Sequence, residues 1–133
     1  MSERSFLYVE DDASSRRLVN IIMTTVLGHS ITTLENSENF LEKVRALAAI
    51  PDAVFLDIQV IPHNGFEMLK MLRGEPGYEN VPVIAMTASV MQSDIDRLKE
   101  AGFNGLLGKP IRKRLFKDQL EQILAGEPLW IVQ

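Results

Sequence analysis

Two textures of apolar residues alternate along this chain. Three short unbroken runs, "SFLYV" (5–9), "DAVFLD" (52–57) and "VPVIAM" (81–86), are rich in strand formers, and "HSITTL" (29–34) and "FNGLL" (103–107) read as weaker strands. Between the runs the apolar residues fall at helical spacing. Leu18, Ile22 and Val26 form a stripe in 12–27, and Phe40, Leu41, Val44, Leu47 and Ala48 share a face in 37–50. Phe66, Leu69 and Leu72 do the same in 64–73, Met91, Ile95 and Leu98 in 89–102, and Leu115, Leu120, Ile123 and Leu124 in 111–126. The punctuation agrees with these spans. Asp12 or Ser14 caps the first helix and Gly28 stops it, Ser37 caps the second and Pro51 ends it, "GEPGYEN" (74–80) is a turn cluster, and Gly102 closes the fourth.

Strand and helix thus alternate five times, and several strands are apolar at every position. Both features predict a parallel sheet covered by helices on both faces, a doubly wound α/β domain over 1–126. The segment 127–133 falls outside the alternation. Pro128 bars simple continuation of the last helix, and "LWIV" (Leu129, Trp130, Ile131, Val132) holds the sole tryptophan. It can fold back on its own domain or pack on a second copy. The reading favours self-association, and hence a homodimer.

In such a sheet a ligand site forms beyond the carboxyl ends of the strands. The polar residues there are Glu10, Asp11 and Asp12 after the first strand, Asp57 after the third, Thr87, Ala88 and Ser89 after the fourth, and Lys109 and Pro110 after the fifth. Strand two reads as an edge strand and ends less distinctively, in "ENSEN". Clustered carboxylates repel, so a divalent cation neutralises them, and an all-oxygen donor set suits Mg²⁺ or Mn²⁺. Thr87 and Lys109 suit a phosphoryl oxygen, as hydrogen-bond donor and point charge. Asp57 is then placed to be a nucleophile that forms an aspartyl-phosphate.

Each residue has a bland explanation when taken singly. "EDD" before a helix is a cap with charge that favours the dipole, and this is the preferred reading for Asp12. Asp57 could be a satisfied strand-end carboxylate, Thr87 a helix cap and Lys109 a solvated cation. Four such coincidences at four strand ends are improbable.

Composition narrows the choice further. Without cysteine there is neither a disulfide framework nor a thiolate metal site, and His29 and His63 lie too far apart in the chain to make a ligand spacing. His63, in a turn, reads as polar surface. The N-terminus is no signal peptide, and no apolar run approaches the roughly 20 residues that span a bilayer, so no membrane and a cytoplasmic location are expected. A net charge of −4 argues against nucleic acid as a partner. Four basic residues in "RKRLFK" (112–117) make either a solvated face or a docking patch for an acidic partner.

The constellation resembles the receiver domain of two-component response regulators over about residues 5–125. The resemblance rests on "VEDD", "FLD", "MTA" and "GKP" at the ends of strands one, three, four and five. It implies a flavodoxin-like, five-stranded sheet of order 2-1-3-4-5. Glu10 and Asp11 would hold Mg²⁺, Asp11 directly and Glu10 partly through water, with Asp57 and the backbone carbonyl of Gln59 as further ligands. Asp57 would accept phosphoryl from a histidine kinase or histidine phosphotransfer protein. Thr87 would move to the phosphoryl oxygen and Lys109 would pair with it. The Lys109–Pro110 peptide would be cis, and Gln59 and Ser89 would tune the phosphoryl lifetime. An output face for a downstream protein would lie on the fourth helix, fifth strand and fifth helix, with Val90, Met91, Leu106, Arg112 and Lys113 as candidates.

Two features depart from the family's pattern. Leu106 stands where an aromatic residue is usual. Pro62 falls one residue later than the usual proline, with Ile61 in its place, which predicts a reshaped lip around the metal site. The function expected is a stand-alone phospho-acceptor that signals by altered partner binding or phosphorelay, and not an enzyme beyond its own phosphoryl transfer. The alternative is a degenerate receiver that binds partners without phosphorylation. An aspartate-nucleophile phosphatase is disfavoured, because such enzymes want an acid where Gln59 stands.

Overall fold

A computed structural model of the chain describes residues 3–88 and 91–131. The elements run β1 (Ser5–Val9), α1 (Ala13–Ile21), β2 (Ser30–Leu34), α2 (Phe40–Arg45), β3 (Ala53–Asp57), α3 (Gly65–Arg73), β4 (Val83–Thr87), α4 (Gln92–Ala101), β5 (Gly105–Gly108), α5 (Lys113–Leu124) and β6 (Leu129–Ile131). All strand pairs are parallel, in the order β2-β1-β3-β4-β5-β6. This is the flavodoxin-like arrangement with one strand more than the five expected.

The unbroken apolar runs follow from this layering. Successive strand residues point to opposite faces, and helices cover both. Leu7, Val9, Val54, Leu56, Val83, Ala85 and Leu106 join one core with residues of α2, α3 and α4. Phe6, Tyr8, Ala53, Phe55, Ile84, Met86 and Leu107 join the other with residues of α1 and α5. Strand β2 lies at the sheet edge with no buried residue, as its sequence suggested.

Helix faces are where periodicity misled. Of the stripe Leu18, Ile22 and Val26, only Ile22 is buried; Leu18 and Val26 are exposed. The buried face is instead Val19, Ile22 and Met23. Residues 22–26 form a π-helical turn, closed by the Leu27 amide donating to the Ile22 carbonyl at 2.9 Å. That wider turn rotates Val26 away from the sheet. Met91, just before α4, and Leu115, in the first turn of α5, are exposed, while Phe116, absent from the expected stripe, is buried. Helix α2 is only six residues long, starts after Asn39 in a left-handed conformation (φ 53°), and leaves Ala48 exposed. Ser37 is not its cap.

The tail is also reassigned. Leu129–Ile131 pairs with β5 of its own chain, with Leu106 opposite Trp130, and the Leu129 side chain is buried in the α1/α5 core. Gly126 turns the chain at φ +80°, and the Gln122 side-chain amide donates to the Pro128 carbonyl at 2.8 Å. Gly105 makes the close approach of β6 possible, since a Cβ there would sit 2.5 Å from the Leu129 carbonyl oxygen. Leu129 and Trp130 thus take the fold-back alternative within the chain; Val132 lies outside the described residues. Among the described residues no helix is long and apolar enough to cross a membrane.

Candidate functional site

Four parallel strands end at the same side of the sheet, and their tips bring together residues far apart in the chain. Glu10 follows β1, Asp57 ends β3, Thr87 ends β4 and Lys109 follows β5. Glu10, Asp57 and Thr87 are buried, and Asp11 is exposed beside them. The Lys109 ammonium lies 2.5 Å from Glu10 Oε1 and 3.2 Å from Asp57 Oδ2. Glu10 Oε1 also accepts from the Tyr8 hydroxyl at 2.9 Å, and Oε2 accepts from the Asp12 amide at 3.3 Å. The Gln59 amide donates to Asp57 Oδ1 at 3.1 Å. Backbone bonds fix the frame: the Lys109 amide donates to the Thr87 carbonyl at 2.9 Å, and the Arg16 guanidinium donates to the Glu10 carbonyl at 2.7 Å.

The electrostatics follow from crowding two acids around one cation. Burial, and after it the hydrogen bond with Asp57, push the Glu10 carboxyl up to about 7, against the pull of Lys109. Burial also works upward on Asp57. There, hydrogen bonds with Glu10 and the Gln59 amide, together with the Lys109 charge, outweigh it and hold the carboxyl below its ordinary range. Burial opposes the Lys109 charge, but Glu10 and Asp57 win and raise it. Asp57 is thus the partner that stays ionised, as a nucleophile must.

A divalent cation fits this donor set. One carboxylate oxygen each from Glu10, Asp11 and Asp57 lies within 4.8 Å of the others, all hard oxygen donors. Octahedral Mg²⁺, with ligands at about 2.1 Å, spaces its oxygens about 3–4 Å apart, so only slight tightening is required. Asp12 stands apart and caps α1, accepting from the Ser15 amide at 2.9 Å.

The loop after Asp57 is held by a residue that sequence reasoning assigned elsewhere. Ser37 is buried; its hydroxyl donates to the His63 carbonyl and accepts from the His63 amide, both at 2.7 Å, while its amide donates to the Ile61 carbonyl at 3.1 Å. The Ile61–Pro62 and Lys109–Pro110 peptides are both cis. Asn64 then starts α3 in a capping box with Glu67, and a Cβ on Gly65 would meet Ile58 Cα at 2.9 Å. Val60 is buried and Ile61 projects outward. The shifted proline therefore sits in a lip clasped by Ser37. Ser37→Ala is expected to lower stability by about 1–3 kcal/mol, because His63 loses both backbone partners. Urea denaturation measures the loss, and hydrogen exchange should rise first at 61–64.

The other expected site residues fall in three groups. Met91, Arg112 and Lys113 are exposed around the starts of α4 and α5. Leu106 is fully buried in the core, so it presents no side chain to a partner and leaves the surface set. Ser89 and Val90 lie outside the described residues. Sequence reasoning missed Tyr8, Arg16 and Ser37. For Tyr8 the signal was a hydroxyl two residues before Glu10, hence on the same side of the strand. A cavity of about 610 Å³, lined by Arg4, Leu27, His29 and residues of α5, opens at the opposite end of the sheet.

Known proteins are similar to this chain in sequence and fold. The chain is 27% identical over 121 residues to the polar-differentiation response regulator DivK of Brucella anthropi, covering 91% of this chain and 96% of that one. It is 31% identical over 120 residues to a chemotaxis protein CheY homolog of Campylobacter jejuni, covering 89% and 90%. Its fold superposes with a TM-score of 0.80 and 22% identity on the receiver domain of a Pseudomonas aeruginosa sensor histidine kinase. That crystal structure has a magnesium ion coordinated in its active-site cleft, and the match covers 93% of this chain and 99% of that one. With a match to the response regulator receiver domain over residues 6–121 added to the carboxylates and lysine at its strand tips, the chain belongs to the response regulator receiver family of two-component signalling.

Proposed function

We propose that Asp57 accepts a phosphoryl group from a histidine kinase or histidine phosphotransfer protein in a Mg²⁺-dependent reaction, and that the phosphorylated domain signals by altered partner binding or phosphorelay. The observation that carries this reading is Asp57 itself: buried, 3.2 Å from Lys109, and within one 4.8 Å cluster of oxygens with Glu10 and Asp11.

An Asp57 carboxylate oxygen attacks the phosphorus. The bond from phosphorus to the donor imidazole nitrogen breaks, and that nitrogen keeps the electron pair. Glu10, Asp11, Asp57 and the Gln59 carbonyl would hold Mg²⁺ (or Mn²⁺), which when bound offsets negative charge on the transferring group. Lys109 already bridges Glu10 and Asp57, so its ammonium follows the new charge onto a phosphoryl oxygen with little travel. The Thr87 hydroxyl donates to a second phosphoryl oxygen, and Gln59 and Ser89 tune the phosphoryl lifetime. The output surface takes in Met91, Arg112 and Lys113, exposed around the starts of α4 and α5, with Val90, outside the described residues, as a further candidate.

Incubation with Mg²⁺ and a small phosphodonor, followed by intact mass measurement, tests the reading. Wild type should gain one phosphoryl group and Asp57→Asn none. Absence of an adduct on wild type would instead favour a phosphorylation-independent interaction module.

A further inference from the structure

We infer that Tyr8 is a positioning residue for the metal site: its hydroxyl holds the Glu10 carboxylate toward Asp11 and Asp57. The inference rests on the reading of Glu10 as a metal ligand given above.

Tyr8 is the fourth of five residues in β1, between Phe6 and Glu10 on the same side of the strand. Its ring is fully buried in the core that includes Phe6, Phe55 and Phe116. A phenylalanine would fill that space equally well, so packing alone does not account for a hydroxyl there. The hydroxyl donates to Glu10 Oε1 at 2.9 Å.

Glu10 is completely buried, and its carboxylate has three donors: Tyr8, Lys109 and the Asp12 amide. They are not equivalent. Lys109 carries a charge that cancels the attraction of Glu10 for a cation, and it is shared with Asp57. The Asp12 amide, at 3.3 Å, is the longest of the three. Tyr8 alone is short, buried and neutral. A neutral donor orients a carboxylate without competing for a metal ion as an ammonium does. Once Lys109 is drawn to a phosphoryl oxygen, Tyr8 is the remaining short bond that keeps Glu10 in place.

The test measures Mg²⁺ binding by calorimetry on the unphosphorylated full chain, so it does not depend on phosphoryl transfer. Tyr8→Phe should fold as wild type by circular dichroism and bind Mg²⁺ roughly tenfold more weakly. Combined with Glu10→Gln, it should add no further loss, because the residue it positions no longer carries a carboxylate. Two results would overturn the inference: Tyr8→Phe binding within twofold of wild type, or an equal loss in the Glu10→Gln background. Either leaves the metal site standing if wild type binds. Wild type that binds no Mg²⁺ at all overturns this inference and the metal-dependent reading together.

Discussion

Lys109→Met is expected to unfold about 3–5 kcal/mol more easily than wild type in chelator at pH 8, with most of the loss recovered on adding Mg²⁺. The substitution preserves much of the apolar stem and removes the charge. Glu10 and Asp57 are then left buried together without their cation, and breaking a buried ion pair from one side costs about that much. The loss should shrink toward pH 5, and the sign follows from linkage. With Lys109 present, burial and Asp57 already lift the Glu10 carboxyl to about 7; without its downward pull the carboxyl titrates higher still. Between the ordinary carboxylate range, near 4.3, and that raised value, the folded variant keeps a proton that the unfolded chain has released, so its stability falls as pH rises. At pH 5 the acids share a proton and need the lysine less. Urea denaturation at the two pH values, with and without Mg²⁺, checks this. Equal loss at both, or none, would mean that Lys109 is solvated rather than holding the two acids together.

The second large effect concerns the tail. Leu129→Ala should lower stability by about 3 kcal/mol, within the range for truncating a buried leucine, because Leu129 is sealed in the α1/α5 core. Ending the chain at Gly126 goes further. It uncovers the β5 edge, where Gly105, Leu106 and Leu107 pair with β6. An unpaired edge next to apolar side chains is a template for another chain. The truncated form should therefore associate more than the full chain, the reverse of what a dimerising tail would give. Sedimentation of both forms across a concentration series decides it. A truncated form that stays monomeric and keeps its denaturation midpoint would show that β6 contributes little.

The tail also shows why part of the fold was hidden in the sequence. "LWIV" is apolar, but three strand residues after a proline look the same whether they pair within the chain or between chains. What decides is the geometry at Gly105, where the missing Cβ leaves room for the Leu129 carbonyl. The helix faces failed for a related reason. Leu18, Ile22 and Val26 keep a spacing of four, but Val19, Ile22 and Met23 make an equally good helical stripe, and only the packing against the sheet decides between them. Ser37 has the residue type of a cap and lies before a helix, yet its hydroxyl is committed to the His63 backbone across 26 positions of chain. Local pattern carries no information about such a partner.

The sequence by itself determined the layered α/β plan, because short all-apolar runs alternating with helical stripes fit strands buried on both faces of a parallel sheet between helices. It also determined which chemical groups stand at the strand tips, because residues just past parallel strands must emerge on one side. Tertiary structure alone decided how those groups are wired: Lys109 bridging Glu10 and Asp57, Tyr8 bound to Glu10, Ser37 clasping the lip, and β6 closing the edge beside Leu106. The division has a physical cause. Periodicity and caps are short-range and legible along the chain, whereas these contacts join side chains that only the packed sheet brings within 3 Å or so of one another.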